Sequence, residues 1–202
     1  MEPSEAQELA NDLIGSAHVL VAAVLGMKNE VLTETAGKRL SFSQLKVLKL
    51  VDMAGPQQVG DVAAFLGVSD AAASKTVDRL VRLKCLRRSV GQRDRRRSEL
   101  SLAAAGRKVL EQYDTSKDRT FAAIFKDLDR DEVRRTTAFL ETLTREVVNR
   151  SANAEEICLQ CGIYLRKHCL VREAARADCQ YQRRRKSPDR APEVPKRPRA
   201  GA

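Results

Sequence analysis

The feature that most restricts this chain is a pair of short helical patterns joined by a tight turn, inside residues 59–84. Val59-Gly60-Asp61-Val62-Ala63-Ala64-Phe65-Leu66 reads as a short helix ended by Gly67, a residue free to take the left-handed conformation that a helix end favours. After Val68, Ser69 stands where an N-cap belongs, its hydroxyl able to accept a hydrogen bond from an early orphan N–H. A second helix is predicted from about Asp70 to Lys84. Its Ala73, Val77, Leu80 and Val81 fall at i, i+4, i+7 and i+8, which makes one buried face. Ser74, Lys75, Asp78 and Arg82 lie on the other side. Helices this short are marginal alone, so both must pack on further elements.

Two of those elements follow at once. Leu86-Arg87-Arg88-Ser89-Val90 and Ser98-Glu99-Leu100-Ser101-Leu102 are short strand candidates, and Gly91 to Arg97 between them is a glycine-started turn with four arginines. Two helices, a turn and a basic hairpin make a winged helix-turn-helix. In that arrangement the second helix enters the major groove of a duplex, and the hairpin reaches toward the neighbouring minor groove. Charge agrees with this placement. Residues 75–97 hold ten Lys/Arg against two Asp, whereas residues 1–74 hold five basic and nine acidic side chains. Residues 98–182 balance at fourteen of each, and the last twenty residues carry eight basic and two acidic. The overall excess of +10 is thus concentrated on the reading helix, the wing and a tail, where phosphate contacts would use it. Ser69, Asp70, Ala72, Ser74 and Lys75 are the candidates near base edges, while Lys75, Arg79 and Arg82 are placed to grip phosphates.

Four stretches carry a specific resemblance: Leu40 to Leu48, Val59 to Val68, Ser74-Lys75-Thr76-Val77-Asp78-Arg79-Leu80, and Asp94-Arg95-Arg96-Arg97 with Leu100-Ser101-Leu102-Ala103-Ala104-Ala105-Gly106-Arg107. Over roughly residues 5–150 the chain resembles the MarR family of bacterial transcriptional regulators. The resemblance implies a mainly α fold: a dimer with long dimerisation helices and a two-stranded wing. It implies a recognition helix at residues 69–84 and a wing arginine, Arg96, entering the minor groove, with Arg93 or Arg95 bordering it. Asp94 would orient an arginine through a charge-assisted hydrogen bond. The family usually has glycine where Cys85 stands, in a left-handed position after the recognition helix, so cysteine there implies strain or a different helix end. Otherwise Cys85 reads as a buried, inert thiol.

The rest of the chain is organised around this unit. Residues 5–36 read as one long helix with Leu9, Leu13, Ser16 or Ala17, Leu20, Val24 and Met27 or Lys28 along a stripe that Val31 extends. The family likeness assigns residues 1–40 to the dimer interface; the alternative is a helix packed only on its own domain. Residues 41–53 form the next helix, with Ser41 as N-cap, Gln44 completing a weak capping box, and Gly55-Pro56 as terminator. Together with residues 59–102 this makes a DNA-binding domain over 41–102. Two further helical patterns, from Ala103 to about Leu128 and from Asp129 to about Arg150, supply the dimerisation helices of 103–150. No uninterrupted apolar run approaches ~20 residues, so no membrane span is expected, and the acidic N-terminus lacks a secretory n-region. The expected compartment is the cytoplasm.

Residues 151–182 lie outside the resemblance. They hold Cys158, Cys161, Cys169 and Cys179 in a C-x2-C-x7-C-x9-C pattern, four of the five cysteines in the chain. Cys158 and Cys161 are one helical turn apart, whereas ten residues between Cys169 and Cys179 would separate them by about 15 Å on a helix. Convergence of all four requires the chain to fold back, which metal or cluster binding can drive. An iron–sulfur cluster suits the irregular spacing. A structural four-cysteine zinc site would normally show two short knuckles, and only one is present. Disulfides are disfavoured in a reducing cytoplasm, and unligated cysteines complete the alternatives. His168 could substitute as a ligand, though a solvated histidine is the plainer reading. Residues 183–202 are basic and proline-containing without periodicity, read as a disordered tail that either tethers DNA nonspecifically or only solubilises.

No phosphate loop, H-E-x-x-H or G-x-S-x-G motif is present, and the two histidines are far apart, so no enzyme is expected. The composite expectation is a homodimeric regulator, read as a repressor, that binds a pseudo-palindromic operator in double-stranded DNA. Its four-cysteine segment would bind an iron–sulfur cluster for redox or iron sensing. One alternative is a regulator that responds to a small aromatic or acyl-thioester effector and carries a structural zinc. A nonspecific architectural DNA-binding protein is the alternative from another class.

Overall fold

In a computed structural model, the structure describes residues 3–90 and 98–151, together with Ile157, Leu170 and Val171. Six helices and one two-stranded sheet account for nearly all of them, with the helical and strand patterns where the sequence places them. The winged helix-turn-helix within a mainly α chain is therefore present.

The core is built around α2, Phe42–Ala54, which is buried on most of its sides, the polar Gln44 and Lys49 included. Leu45, Val47 and Leu48 are completely buried, and α2 packs on α4, α5 and the wing. Ser41 caps it with a full capping box: the Gln44 N–H donates to Ser41 Oγ at 3.3 Å, and the Ser41 N–H donates to Gln44 Oε1 at 2.9 Å. Gly55, at φ 79°, ends it.

α3, Val59–Leu66, and α4, Asp70–Arg82, pack together across a turn made by Gly67 at φ 66° and Ser69, whose Oγ accepts from the Ala72 N–H at 3.3 Å. Ala73, Val77 and Leu80 of α4 are completely buried, as the periodicity requires. α4 ends two residues before the expected Lys84. Its last turn closes with the Lys84 N–H donating to the Val81 carbonyl and the Cys85 N–H to the Leu80 carbonyl, both at 2.9 Å, which is a Schellman motif.

That ending corrects one expectation. The left-handed residue after α4 is Lys84, at φ 56°, and not Cys85. Cys85 follows in the buried position beneath the helix end, 5% exposed, where burial pushes its thiol pKa up. A lysine in this conformation carries backbone strain of about 1 kcal/mol, which the two closing hydrogen bonds offset.

The wing is β1, Leu86–Val90, paired antiparallel with β2, Ser98–Leu102, in a register that sets Leu86 opposite Leu102 and Arg88 opposite Leu100. The outer edge of β2 is bonded in turn by Gln57, whose N–H donates to the Leu100 carbonyl at 3.0 Å while its carbonyl accepts from the Leu100 N–H at 2.7 Å. This third, one-residue strand ties the wing base to the end of α2.

α1, Pro3–Ala36, packs its second half on α5, Ala104–Phe125, with Val31 and Leu32 buried. α6, Arg130–Arg150, starts at Asp129, which acts as its N-cap and accepts from the Glu132 N–H at 2.7 Å. Much of α1 and α6 leaves large apolar side chains in the open. Leu9, Ile14, Val19, Leu20 and Val21 on α1, Ile124 and Phe125 at the end of α5, Leu128 just beyond it, and Phe139 and Val147 on α6 are all at least 45% exposed. The predicted α1 stripe is thus split: Leu13, Ala17, Val24 and Met27 are half-buried, while Leu9 and Leu20 face outward. By length and composition α1 could also cross a membrane, although Asn11, Asp12, Ser16 and His18 interrupt its apolar run. Only one side of its C-terminal third is covered by protein, where Lys28, Val31 and Leu32 are buried while Asn29, Glu30, Thr33 and Glu34 stay exposed.

Candidate nucleic-acid interface

The outward face of α4 is the centre of the site. Ser69, Asp70, Ala72, Lys75, Arg79 and Arg82 are all placed on it, and so are Ala71 and Asp78. Ser74, expected on this face, is only half-buried at its flank, one residue beyond the buried line of Ala73 and Val77. Two acids, Asp70 and Asp78, interrupt the positive surface. Asp70 sits in the first turn, where the helix dipole favours a carboxylate.

Two of the basic groups already have intramolecular work. Arg79 Nη2 donates to the Arg39 carbonyl at 3.3 Å, which ties α4 to the short 3-10 turn Gly37–Arg39 between α1 and α2. Arg88 Nη2 on β1 donates to Asp78 Oδ1 at 3.0 Å. Lys75, Arg82, Lys84 and Arg87 complete the cations on α4, its end and β1. The wing-tip residues Arg93, Asp94, Arg95 and Arg96 lie outside the described residues.

Beside α4 runs a groove with a cavity of about 280 Å³, lined by Ser43 and Lys46 of α2, Phe65 and Leu66 of α3, Val68 of the turn, and Ala72 and Thr76 of α4. Ser43, Lys46 and Thr76 therefore belong to the same surface as the reading face, and none was singled out from sequence. Their polar character was visible, but which outward edge of α2 meets α4 is a property of the packed fold.

Behind the reading head, α1, α2 and α5 meet in a charged joint. Lys49 of α2, 8% exposed, donates to Asp114 Oδ1 of α5 at 2.7 Å and lies 5.3 Å from the ring centre of the buried Tyr113. Lys117 reaches the same Asp114 oxygen at 3.0 Å and Asp118 at 3.1 Å. Burial alone would raise the Asp114 pKa, but the hydrogen bonds and charges of Lys49 and Lys117 outweigh it and hold the carboxyl below its ordinary value. Lys28 of α1, 7% exposed and 5.8 Å from the Phe121 ring centre, is pulled down to about 8 by burial and by the nearby Lys117 and Lys49. The joint couples the reading head to the helices that carry the exposed apolar surface.

Among the described residues no group of three or more metal-ligating side chains comes together. Cys158, Cys161, Cys169 and Cys179, and the basic tail, lie outside them.

Comparison with known proteins agrees with this geometry. A model of the MarR family matches residues 40–97, from just before α2 to the residue preceding β2. The HTH-type transcriptional regulator YpoP of Bacillus subtilis is 30% identical over 103 residues, covering 51% of this chain and 70% of YpoP. A MarR family protein from Bacillus stearothermophilus shares the fold with a TM-score of 0.61 at 17% identity, over 70% of this chain and 96% of that one. A point mutant of S. aureus MepR, whose structure is bound to an oligodeoxyribonucleotide, does so with a TM-score of 0.52 at 18% identity, over 67% of this chain and 97% of MepR. With its reading helix, wing base and helical body in the family's arrangement, the chain belongs to the MarR family of DNA-binding transcriptional regulators.

Proposed function

We propose that the protein is a homodimeric, sequence-specific repressor whose two reading helices bind a pseudo-palindromic operator. One observation carries the dimer: large apolar side chains are exposed on α1, α5 and α6, and the charged joint links α1 and α5 to the reading head. Single exposed apolar residues are ordinary, but ten large ones on and beside three helices form a surface that a second copy would cover. Two-fold pairing there would also set the spacing of the two α4 helices, which a bipartite operator requires. The bound oligonucleotide of MepR supports the DNA half of this reading. A protein that works on the chromosome of a bacterium works in the cytoplasm.

The test joins assembly to binding. The wild-type protein is expected to sediment as a dimer and to prefer duplexes from its own upstream region over scrambled ones by about a thousandfold or more. Val21→Glu, which places a charge on the exposed apolar face of α1, is expected to yield monomers and to lose at least about a hundredfold in operator affinity. A monomeric wild type, or equal binding to upstream and scrambled duplexes, would overturn the reading; the second result points to an architectural DNA-binding protein.

We further infer that the four cysteines beyond α6 hold an iron–sulfur cluster that makes the regulator a redox or iron sensor. The support is their irregular spacing across residues 158–179. Gain or loss of the cluster would act by changing the separation of the two reading heads. Anaerobically purified protein is expected to be coloured and to contain iron, and its Cys→Ser variants to bind the operator as the cluster-free form does. Colourless protein with one zinc per chain would reject the cluster. It would favour the regulator with a structural zinc and a small aromatic or acyl-thioester effector.

A further inference from the structure

We propose that Asp78 and Arg88 form a strut that fixes the wing to the reading helix, so that Arg88 serves discrimination between DNA sites and not the grip on phosphate. Strand alternation places Arg88 for this task. Leu86 and Arg88 share one face of β1, and Leu86 is 1% exposed, so that face turns toward the body of the reading head. Arg88 is opposite Leu100, which is completely buried. Arg87, one residue away, points to the opposite face of the sheet and remains exposed.

The contact then does what the backbone does on the other side of the ribbon. The outer edge of β2 is held by the two hydrogen bonds to Gln57, at 3.0 and 2.7 Å. On the β1 side the Arg88–Asp78 bond, at 3.0 Å, joins the ribbon to α4. α4 is itself held from its other flank, where Arg79 donates to the Arg39 carbonyl. A two-stranded ribbon braced on both sides keeps a fixed angle to the helix, and that angle sets where the wing arrives when α4 lies in the major groove. The pair also explains how a carboxylate is tolerated among Lys75, Arg79 and Arg82: its charge is neutralised within the protein. Both partners are partly exposed, 40% for Arg88 and 51% for Asp78, so the bond adds little to folding stability, and its worth is positional.

The double variant Asp78→Asn with Arg88→Gln separates the roles, because it removes the pair without changing net charge. Binding of full-length protein to upstream and scrambled duplexes is measured over a range of salt concentrations, with thermal unfolding alongside. The strut requires the preference for the upstream duplex to fall about tenfold while the salt slope and the melting temperature stay unchanged. Arg88→Lys, which keeps a cation for Asp78, should recover part of that preference, and Arg87→Ala should weaken both duplexes alike and lower the slope by about one. A double variant that keeps its preference overturns the strut. One whose slope falls by about one makes Arg88 a phosphate contact. Absence of any preference in the wild type would reject the operator reading itself, and with it any discrimination for the pair to serve.

Discussion

Gly106→Ala is expected to destabilise the protein by about 3 kcal/mol or more, visible as a large drop in the denaturation midpoint with little change in slope. A Cβ at Gly106 would stand 2.2 Å from the Cys85 carbonyl oxygen, 3.0 Å from the Cys85 carbonyl carbon and 2.9 Å from Leu102 Cδ1. The first two are backbone atoms with nowhere to go. The Cys85 carbonyl accepts from the Ala103 N–H at 3.0 Å, and the Cys85 N–H is fixed to the Leu80 carbonyl at 2.9 Å in the ending of α4. The first turn of α5 therefore sits directly on the end of the reading helix, and only a residue without a side chain permits that approach. Relief requires α5 to lift from the wing base or the α4 terminus to open, and either change repositions the reading head. Gly60→Ala is the control. Gly60 is also helical, but nothing lies within 4 Å of a Cβ built there, so alanine should be neutral or stabilising by up to about 1 kcal/mol. Equal stabilities for the two variants would show that α5 is not seated as described.

Asp114→Ala is expected to cost roughly 2 kcal/mol and to loosen the joint between reading head and helical body. Removing one partner of a fully buried pair typically costs about 3–5 kcal/mol, and the side chain of Asp114 is 42% exposed, which reduces the figure. What remains behind matters more than what is lost. Lys49, 8% exposed, would keep its charge against Tyr113 with no carboxylate from Asp114, and Lys28 and Lys117 would add their repulsion. Arg134→Ala, which breaks an exposed pair with Asp131 on α6, should change stability by no more than about 0.5 kcal/mol.

The pH profile of the same unfolding measurement carries the signs. The Asp114 pKa is lowered in the folded state, so its contribution is present above the ordinary carboxylate pKa near 3.8 and is lost as pH falls through the lower folded value. Lys28 falls from 10.5 to about 8, so between those values the unfolded chain binds more protons and stability rises with pH. That rise is at most about 1.4 kcal/mol per pH unit. A flat alkaline limb would show that Lys28 is not held in the buried position between α1 and α5.

Much of the reading head is written locally. Ser41, Ser69, Gly55 and Gly67 act within a few residues of themselves, so caps and turns could be placed from sequence, and the Ala73–Val77–Leu80 face was legible because a buried helical stripe has a fixed period. The concentration of Lys and Arg over residues 75–97 needed only counting. Partners distant in sequence could not be read this way. Arg79, Arg82 and Arg88 look alike in a sequence, but Arg79 meets the Arg39 carbonyl forty residues away and Arg88 meets Asp78. Ser43 and Lys46 joined the reading surface only once α2 and α4 were side by side.

The sequence by itself determined the order of the helices and the caps that start α2 and α4, which face of α4 looks outward, and that a duplex is what this surface would meet, since these depend on short-range periodicity, capping and local charge. Only the tertiary structure decided that Gly106 must be glycine, that Lys49 meets Asp114 and that Arg79 is tied to Arg39. Each of these is settled by a close approach between elements from separate parts of the chain. Such approaches are set by how side chains fill shared volume, which no spacing rule along one segment records.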